Sequence, residues 1–556
     1  MKNKYVIRLI LIGLFIFLLG SSCSNINLNG NSDGQNNEES EISRDESDII
    51  DRGPVKGGIL QLFSTYPDTL DPVLTKNTYI QKYAGLVYES MVKLGKDQQA
   101  VPWVADDWSV SDDGYTWTFH IREGVNWQDG FPLTAWDVGF TIDTIMSSES
   151  DSIYKYNVSN IESYKISDDN TIVITLKKPN SFTAELMTFP IVPKRFFTKS
   201  NMNDAYKTKF PPGTGPYSIS SYEEETGIVL KASRSWWYKK VSGNQDIPYI
   251  SEIQIKFFKY SAEKLNVFQM GIVDAVKIDS QHLGKYVYKP DIVIKKYVSN
   301  KFDFLALNMS NVYLKNKDVR RAIASAVNRN EIIQSILGGN AVPSDLPIIP
   351  GSWIYSYTEN AQGNELQDKS REQAGAVSSY GINARLEILV NQENETRVKV
   401  AEKISEQLKS IGINCVVKKA EWKEVLNLVR RNKYDIALLG CTVPSIPDIS
   451  YLYSSWYLPY HVTSSDSVTY NIAGFNNMQI NEYINRMFAE NNTETRKKLL
   501  SDIKGIIDDE VPYIGLYFYC DAMLYDNGVR GNLDPYTWNE YNNVAEWYIT
   551  GQRESN

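Results

Sequence analysis

Few residues in this sequence could carry out covalent or metal chemistry, and their spacing does not support either. The chain of 556 residues has three histidines, His120, His282 and His461, which are too far apart to form a metal-ligand motif. No G-x-S-x-G nucleophile elbow between a strand and a helix, no H-E-x-x-H pair and no Walker A loop is found. Carboxylate pairs such as Asp112 and Asp113 suit surface turns. We therefore expect no enzymatic activity, no cofactor and no metal site.

The cysteine nearest the N-terminus lies between an apolar run and a polar segment. A basic start is followed by "LILIGLFIFLLG", and small residues then lead to Cys23, which is typical of an export signal. The end of this signal resembles a bacterial lipobox, although Gly20 stands where that pattern usually has leucine. We expect residues 1–22 to be a lipoprotein signal peptide and Cys23 to be the lipid attachment site. An ordinary cleaved signal is the alternative.

The segment after Cys23 and the overall charge both bear on location and partners. Residues 23–53 are mostly Asn, Ser, Gly, Asp and Glu, so we expect a disordered acidic tether. The later sequence has no apolar run near the roughly 20 residues that a membrane-spanning helix needs. A net charge of −9 disfavours nucleic-acid binding, which requires a basic surface. We expect a bacterial protein held by its lipid on the extracytoplasmic face of the cell membrane.

The three remaining cysteines do not fit a zinc motif. Cys415 and Cys441 fall in two predicted strands that we expect to be neighbours, so a disulfide between them is one prediction. Buried, unreactive thiols are the other. The odd number, completed by Cys520, leaves at least one thiol free in either case.

Apolar patterning predicts two parts of different construction. In the first half, "YTWTFHI" and "TIVITL" alternate apolar and polar residues, which indicates half-buried strands. Between them, Thr134 followed by Asp137 resembles a capping box, so a helix should begin there. In the second half, "KDVRRAIASAVNRNEIIQSIL" has a helical apolar stripe and ends at Gly338 and Gly339. The order β-α-β-α-β follows, which predicts a parallel α/β lobe and a ligand cleft between two lobes.

Several segments together resemble one protein family. The run "VYESMVKLGKDQQAVPWVADDWSVSDDGYTWTFHIREGVNWQDGFPLTAWDVGFTI" is similar to the signature region of the family-5 extracellular solute-binding proteins. These are the oligopeptide-, dipeptide- and nickel-binding components of ABC importers. The segments "GTGPYSI", "FLALNMSNVYLKNKDVRRAIASAVNRNEII", "YDIALLG" and "DDEVPYIGLYF" resemble later landmarks of the family. They occur in the family's order across residues 55–550.

The resemblance implies an α/β fold of the two-lobed, type II periplasmic-binding-protein-like class, with an extra inserted α+β domain. It places lobe I at residues 54–93, 210–302 and 525–556, the inserted domain at 94–209, and lobe II at 303–524. It also implies a monomer that captures oligopeptides by lobe closure and delivers them to the permease of an ABC transporter. A peptide would bind as an added strand, through backbone hydrogen bonds.

The resemblance also implies where a peptide amine should bind, and this sequence departs from the pattern there. Peptide-binding relatives place an aspartate after the "YD" strand to pair with the ligand's ammonium group. In this sequence that position falls on Val443, and Asp448 matches a later, structural acidic position. Another acidic residue, a different loop register or a ligand without a free amine would each account for the change.

Five further residues are predicted ligand contacts in or near the second lobe. Asn308 could offer a polar group near the hinge, and Asn471 and Phe475 resemble a family stretch that lines the cleft. Trp353 and Trp456 are aromatic residues that could face a ligand. Aromatic platforms would also suit an oligosaccharide, and chelated nickel is a further family ligand. A peptide-sensing receptor of the same fold is the remaining alternative.

Overall fold

The computed structural model describes five stretches of the chain, residues 53–147, 151–197, 210–355, 385–456 and 471–550. The predicted signal peptide, Cys23 and nearly all of the predicted tether lie outside these residues. Within the described stretches, no helix has both the length and the apolar character needed to cross a membrane.

The strands, in chain order, are β1 (Ile59–Thr65), β2 (Val92–Leu94), β3 (Ala100–Pro102), β4 (Ala105–Val110), β5 (Thr116–Ile121), β6 (Ile161–Asp168), β7 (Thr171–Leu176), β8 (Tyr217–Glu223), β9 (Gly227–Ala232), β10 (Glu252–Phe258), β11 (Ala275–Asp279), β12 (Ile292–Leu307), β13 (Ala341–Pro343), β14 (Leu386–Asn391), β15 (Cys415–Ala420), β16 (Ile436–Thr442), β17 (Tyr513–Asp526), β18 (Val529–Gly531) and β19 (Trp547–Ile549). The α-helices are α1 (Thr78–Val87), α2 (Ala135–Met146), α3 (Lys155–Val158), α4 (Thr183–Leu186), α5 (Tyr238–Ser242), α6 (Lys264–Gln269), α7 (Lys317–Ala326), α8 (Arg329–Ser335), α9 (Glu395–Ser410), α10 (Trp422–Arg430), α11 (Ser450–Tyr453), α12 (Met478–Ala489) and α13 (Thr493–Glu510). Short 3₁₀ helices occur at Ser261–Glu263, Ser280–Lys285 and Val544–Glu546.

One large mixed sheet runs through both lobes. Its strand order is β15-β14-β16-β12-β17-β11-β1-β10-β9-β8, with β13 also paired to β17. We call the end built on β1 and β8 to β11 the first lobe, and the end built on β14 to β16 the second lobe. The long strands β12 and β17 pair antiparallel in the middle. The chain therefore passes between the two ends of the sheet twice, along two adjacent strands.

A separate antiparallel sheet, β4-β5-β7-β6, falls within the segment predicted to be an inserted domain. Its buried residues alternate with more exposed ones in β5 and β7, as the period of two predicts. Phe119 of this sheet shares a continuous apolar core with Leu62 of β1 and Trp547 near the C-terminus. The exact domain boundaries stay a prediction.

The predicted start of the helix after β5 is confirmed. Helix α2 begins at Ala135, directly after Thr134. The backbone N–H of Thr134 donates a hydrogen bond of 2.9 Å to the Asp137 carboxylate. This bond satisfies a backbone donor that the first turn leaves without a helical partner.

The predicted single helix ending at Gly338 and Gly339 is wrong. The chain forms α7 and α8, with Val327 in an extended conformation between them. The side chain of Asn328 accepts a 3.0 Å hydrogen bond from the backbone N–H of Glu331 and thus caps α8. Asparagine competes for backbone hydrogen bonds in this way, so it starts a new helix more readily than it continues one.

The predicted adjacency of the strands that carry Cys415 and Cys441 is also wrong. Strand β14 pairs with both β15 and β16 and so lies between them. Cys415, Cys441 and Cys520 are all free thiols in the structure. Burial raises the pKa of Cys415 and of Cys441 to about 12, which leaves both thiols protonated and weakly nucleophilic at neutral pH.

The "GTGP" segment packs closely against the end of α1. A side chain at Gly213 or Gly215 would collide with the backbone carbonyls of Val87 or Leu86. The Gly215 N–H donates a 2.9 Å hydrogen bond to the Val87 carbonyl. Only glycine allows this approach. The contact fixes the end of α1, and the residues directly after it line the cavity described below.

Candidate functional site

A cavity of about 680 Å³ lies between α1, the residues that follow it, and the C-terminal residues 536–546. It also reaches Asn300 and Ser445. Asn300 falls where the pairing of β12 with β17 shifts register, and Ser445 lies in the loop after β16. Pockets of roughly 300–1,000 Å³ are typical of small-molecule sites. The cavity is therefore large enough for a ligand and touches both the central strands and a second-lobe loop.

One wall of the cavity is held by a buried carboxylate with two lysine partners. The Glu540 carboxylate is ion-paired with Lys82 at 2.7 Å and with Lys277 at 2.9 Å. It also accepts a 3.0 Å hydrogen bond from the Tyr297 hydroxyl. Burial alone would raise the pKa of Glu540, but the two ammonium groups lower it to about 2. Glu540 is therefore ionised at neutral pH, and the C-terminal segment is tied to α1 and to β11.

The ion pairs continue across the central strands of the large sheet. Lys277 also lies 2.9 Å from Asp521 of β17, and Lys301 of β12 lies 3.6 Å from Asp521 and 2.5 Å from Asp279. Three lysines and three carboxylates, whose charges balance, take part in these ion pairs: Lys82, Lys277, Lys301, Asp279, Asp521 and Glu540. We call these six residues the hinge network, because they join β11, β12 and β17 where the chain passes between the lobes.

A second buried carboxylate lies on another part of the cavity wall. Glu89 accepts hydrogen bonds from the indole N–H groups of Trp103 at 3.0 Å, Trp236 at 3.2 Å and Trp237 at 2.7 Å. Burial raises the pKa of Glu89, and Lys93 and the indole donors oppose that rise. We call Glu89, Lys93 and these three tryptophans the indole cluster.

The ammonium of Lys93 lies over the indole ring of Trp103. Its Nζ lies 3.0 Å from the centroid of the Trp103 ring, which is the geometry of a cation–π contact. Burial lowers the pKa of Lys93 to about 8, and Glu89 opposes part of that fall. Tyr238 packs against Trp103 with ring centroids 4.5 Å apart, so the ammonium lies beside an aromatic wall.

The turn between β2 and β3 contacts the second lobe beside the cavity. The side-chain amide of Gln98, in the turn between β2 and β3, donates to the carbonyls of Ser445 at 3.1 Å and Pro444 at 3.4 Å. The backbone N–H of Trp353 donates a 3.0 Å hydrogen bond to the backbone carbonyl of Asp97. Gln98 has a positive φ of 66°, so a strained turn presents its side chain to the second lobe. Of the residues in these contacts, Ser445 alone lines the cavity.

The six sequence-predicted ligand residues lie outside the lining of this cavity. Val443 is buried in the core of the second lobe, and its backbone N–H donates a 2.8 Å hydrogen bond to the carbonyl of Asn300. The amide of Asn308 donates to the carbonyls of Asn432 at 3.1 Å and Tyr434 at 2.7 Å. Asn308 also lines a separate polar pocket of about 290 Å³.

Of the other four predicted residues, three make contacts within the protein and one is exposed to solvent. Asn471 has a φ of 52°, and its side-chain oxygen accepts a 3.0 Å hydrogen bond from the N–H of Phe475, whose ring is in the core. Trp353 is half-buried, and the guanidinium carbon of Arg496 lies 4.6 Å from the centroid of its ring. Trp456 is 46% exposed. Ligand contact by these residues stays a prediction.

The cavity residues were not predicted, although one of them leaves a signal in the sequence. Lys277 lies between the buried residues Val276 and Ile278 of β11. A charged residue in the middle of an apolar strand needs a buried partner. The identity of that partner, Glu540, depends on contacts that no local pattern shows. Among the described residues, no group of three or more His, Cys, Asp or Glu could hold a metal ion.

Comparison with known proteins places this architecture in a defined group. The family described as bacterial extracellular solute-binding proteins, family 5 Middle, matches residues 99–462. The dipeptide-binding protein DppE of Bacillus subtilis (strain 168) is 22% identical over 493 residues, which covers 84% of this chain and 87% of DppE. The oligopeptide-binding protein OppA of the same organism is 21% identical over 515 residues, covering 86% of this chain and 90% of OppA.

A solved structure confirms the predicted fold class. The ABC transporter substrate-binding protein CtaP of Listeria monocytogenes superposes with a TM-score of 0.73 at 21% identity. The match covers 89% of this chain and 100% of CtaP. The fold is therefore that of the two-lobed, type II periplasmic binding proteins, and the predicted family resemblance is confirmed. The family match spans more than half of the sequence, and this chain belongs to the bacterial extracellular solute-binding proteins of family 5.

Proposed function

We propose that this protein captures oligopeptides outside the cytoplasmic membrane and delivers them to the permease of an ABC importer. The observation that carries the proposal is the cavity at the central strands, which is lined mainly by the first lobe and reaches the second at Ser445. The names of the relatives DppE and OppA indicate dipeptide and oligopeptide ligands. In this role the protein binds and releases its ligand without making or breaking a covalent bond.

Lobe closure is the proposed means of capture. The chain passes between the lobes along β12 and β17, so a small change in these two strands would move one lobe against the other. The contacts of Gln98 with Pro444 and Ser445 lie at the edge that such a motion would open. Binding energy from a peptide that touches both lobes would favour the closed state.

The proposal includes attachment to the membrane through a lipid on Cys23. The test is to express the full chain and the Cys23→Ala variant in a bacterial host and follow incorporation of a labelled fatty acid. We expect label only in the wild type, and the variant should leave the membrane fraction. Equal labelling of both proteins would contradict the assignment of Cys23.

The test of the proposed ligand is native mass spectrometry of the protein purified from cells grown in a peptide-rich medium. We expect a ladder of bound peptide masses. Adding a peptide mixture to the stripped protein should raise its melting temperature, because a ligand that binds only the folded state stabilises it. A single non-peptide mass with no thermal shift from peptides would overturn the peptide assignment.

One feature favours an oligosaccharide as the second candidate ligand. Trp103, Trp236 and Tyr238 line the same cavity and form a continuous aromatic wall. Aromatic faces present large, rigid apolar area of the kind that a sugar ring can stack on. Bound species with masses spaced by a hexose unit in the same mass spectrum would support this candidate against the peptide.

A further inference from the structure

One charged group on the cavity wall differs from the others in its hydrogen bonding. Lys82, Lys277 and Glu540 are paired within the hinge network, and Glu89 accepts three indole N–H groups. The remaining acidic group, Glu546, accepts from Asn532 at 2.9 Å. The ammonium of Lys93 contacts the Trp103 ring, but no acceptor oxygen lies within hydrogen-bond distance of it in the described part of the chain.

Glu89 balances the charge of Lys93 without satisfying its donors. A carboxylate has about four lone-pair positions, and the indole N–H groups of Trp103, Trp236 and Trp237 already use three of them. An ammonium carries three N–H donors and no acceptor. The Trp103 face attracts the positive charge but offers no lone pair. Lys93 therefore presents unused donors to the cavity.

Tertiary packing fixes these donors in one place. Trp103 and Trp237 are both less than a tenth exposed, and their ring centroids are 5.3 Å apart. The Arg122 guanidinium lies 5.8 Å from the Trp237 ring, on the same cluster, and adds a second positive charge nearby. A cation held in this way is pre-organised for an anionic partner, because little side-chain entropy remains to be lost on binding.

We propose that Lys93 is a subsite for a carboxylate group of the ligand, either the C-terminal or an acidic side-chain carboxylate of a peptide. The inference rests on the proposed function and names the chemistry that this part of the cavity selects. The ligand's oxygen atoms would accept hydrogen bonds from the ammonium, while its adjacent carbon atoms pack on Tyr238. Charge-assisted hydrogen bonds of this kind are stronger than neutral ones.

The experiment compares two probes on three proteins. The probes are a protease digest of casein and the same digest after methyl esterification, which converts every carboxylate to a neutral ester. The proteins are the wild type, Lys93→Met and Lys240→Met. Lys240 is exposed on α5, two residues from Tyr238, and serves as the matched control. Retained peptides are identified and their affinities measured by native mass spectrometry.

We expect the wild type and Lys240→Met to retain the untreated digest about tenfold or more tightly than the esters. Lys93→Met should bind the untreated digest as weakly as the wild type binds the esters. Lys93→Arg should recover part of the preference, because it restores the positive charge. A melting temperature of Lys93→Met at or above that of the wild type would show that its loss of binding does not come from unfolding.

Two other results would overturn the inference, and they can be told apart. If the wild type retains both digests equally and Lys93→Met does the same, Lys93 does not bind a ligand carboxylate. The proposed peptide function would be unaffected by that result. Retention of neither digest by any of the proteins would overturn the proposed function and this inference with it.

Discussion

Two lysines on the wall of one cavity have their pKa values shifted in opposite directions. Lys277 is ion-paired with Glu540 and Asp521, each at 2.9 Å, and these carboxylates raise its pKa in spite of burial. Lys93 lies near one carboxylate, Glu89, and burial lowers its pKa to about 8. Two carboxylates outweigh the burial of Lys277, whereas the one carboxylate near Lys93 does not outweigh its burial.

The comparison suggests a division of labour between the two regions. In the hinge network every lysine has a carboxylate partner, so this region stabilises the central strands and has little capacity left for a ligand. In the indole cluster the carboxylate is used by indoles, so the lysine remains available.

The largest expected effect comes from removing the central carboxylate of the hinge network. Glu540→Gln leaves Lys82 without its carboxylate partner and Lys277 with only Asp521. Breaking a buried ion pair on one side costs about 3–5 kcal/mol. We expect a loss of that size in the free energy of unfolding measured with urea. Glu162→Gln, at an exposed position of β6, is the control and should change it by less than about 0.5 kcal/mol. Similar losses in both variants would contradict the importance of Glu540.

Acid should remove the same contribution in the wild type. The pKa of Glu540 is lowered from 4.5 to about 2 in the folded protein, so the unfolded chain binds its proton first as the pH falls. The contribution is complete above about pH 5 and is lost progressively as the pH approaches 2, with a total of about 3 kcal/mol. The free energy of unfolding should fall more steeply between pH 6 and pH 3 for the wild type than for Glu540→Gln. Parallel curves would show that Glu540 is not the responsible group.

Lys93 should give the opposite pH dependence, with a smaller size. Its pKa is lowered from 10.5 to about 8, so between these values the unfolded chain holds more protons than the folded one. Stability should therefore rise as the pH increases from 8 to 10, by about 1–2 kcal/mol relative to Lys93→Met. The charged groups facing Lys93 across the cluster are Glu89, whose pKa is raised by burial, and Arg122. An identical rise in the variant would assign the effect to other groups.

The contrast between these regions also explains how much the sequence could predict. The strands with a period of two and the capping box at Thr134 depend on neighbours within a few residues, and they were predicted correctly. The break at Asn328 was missed because a favourable apolar stripe continued through it. Apolar patterning predicted two lobes of different construction, and the family resemblance supplied their fold class and the inserted domain.

The cavity could not be predicted, because its contacts join distant parts of the chain. Lys82 and Glu540 are 458 positions apart, and Glu89 and Trp236 are 147 positions apart. The sequence-predicted residues Asn308 and Asn471 have the side chains expected of ligand contacts, but their amides bond to backbone groups of the protein itself. Asparagine serves both purposes equally well, so residue type alone does not separate them.

The smallest expected effect tests whether burial, and not ion pairing as such, makes the hinge network stable. Lys301 pairs with Asp279 at 2.5 Å, but these two side chains are 45% and 40% exposed. Water screens such a pair, and exposed pairs contribute at most about 1 kcal/mol. We therefore expect Lys301→Met to lower the free energy of unfolding by less than that, and 0.5 M salt to change the wild type little at this site. A loss as large as that of Glu540→Gln would mean that Lys301 is essential to Asp521, its second partner at 3.6 Å, and that the network acts as one cooperative unit across β11, β12 and β17.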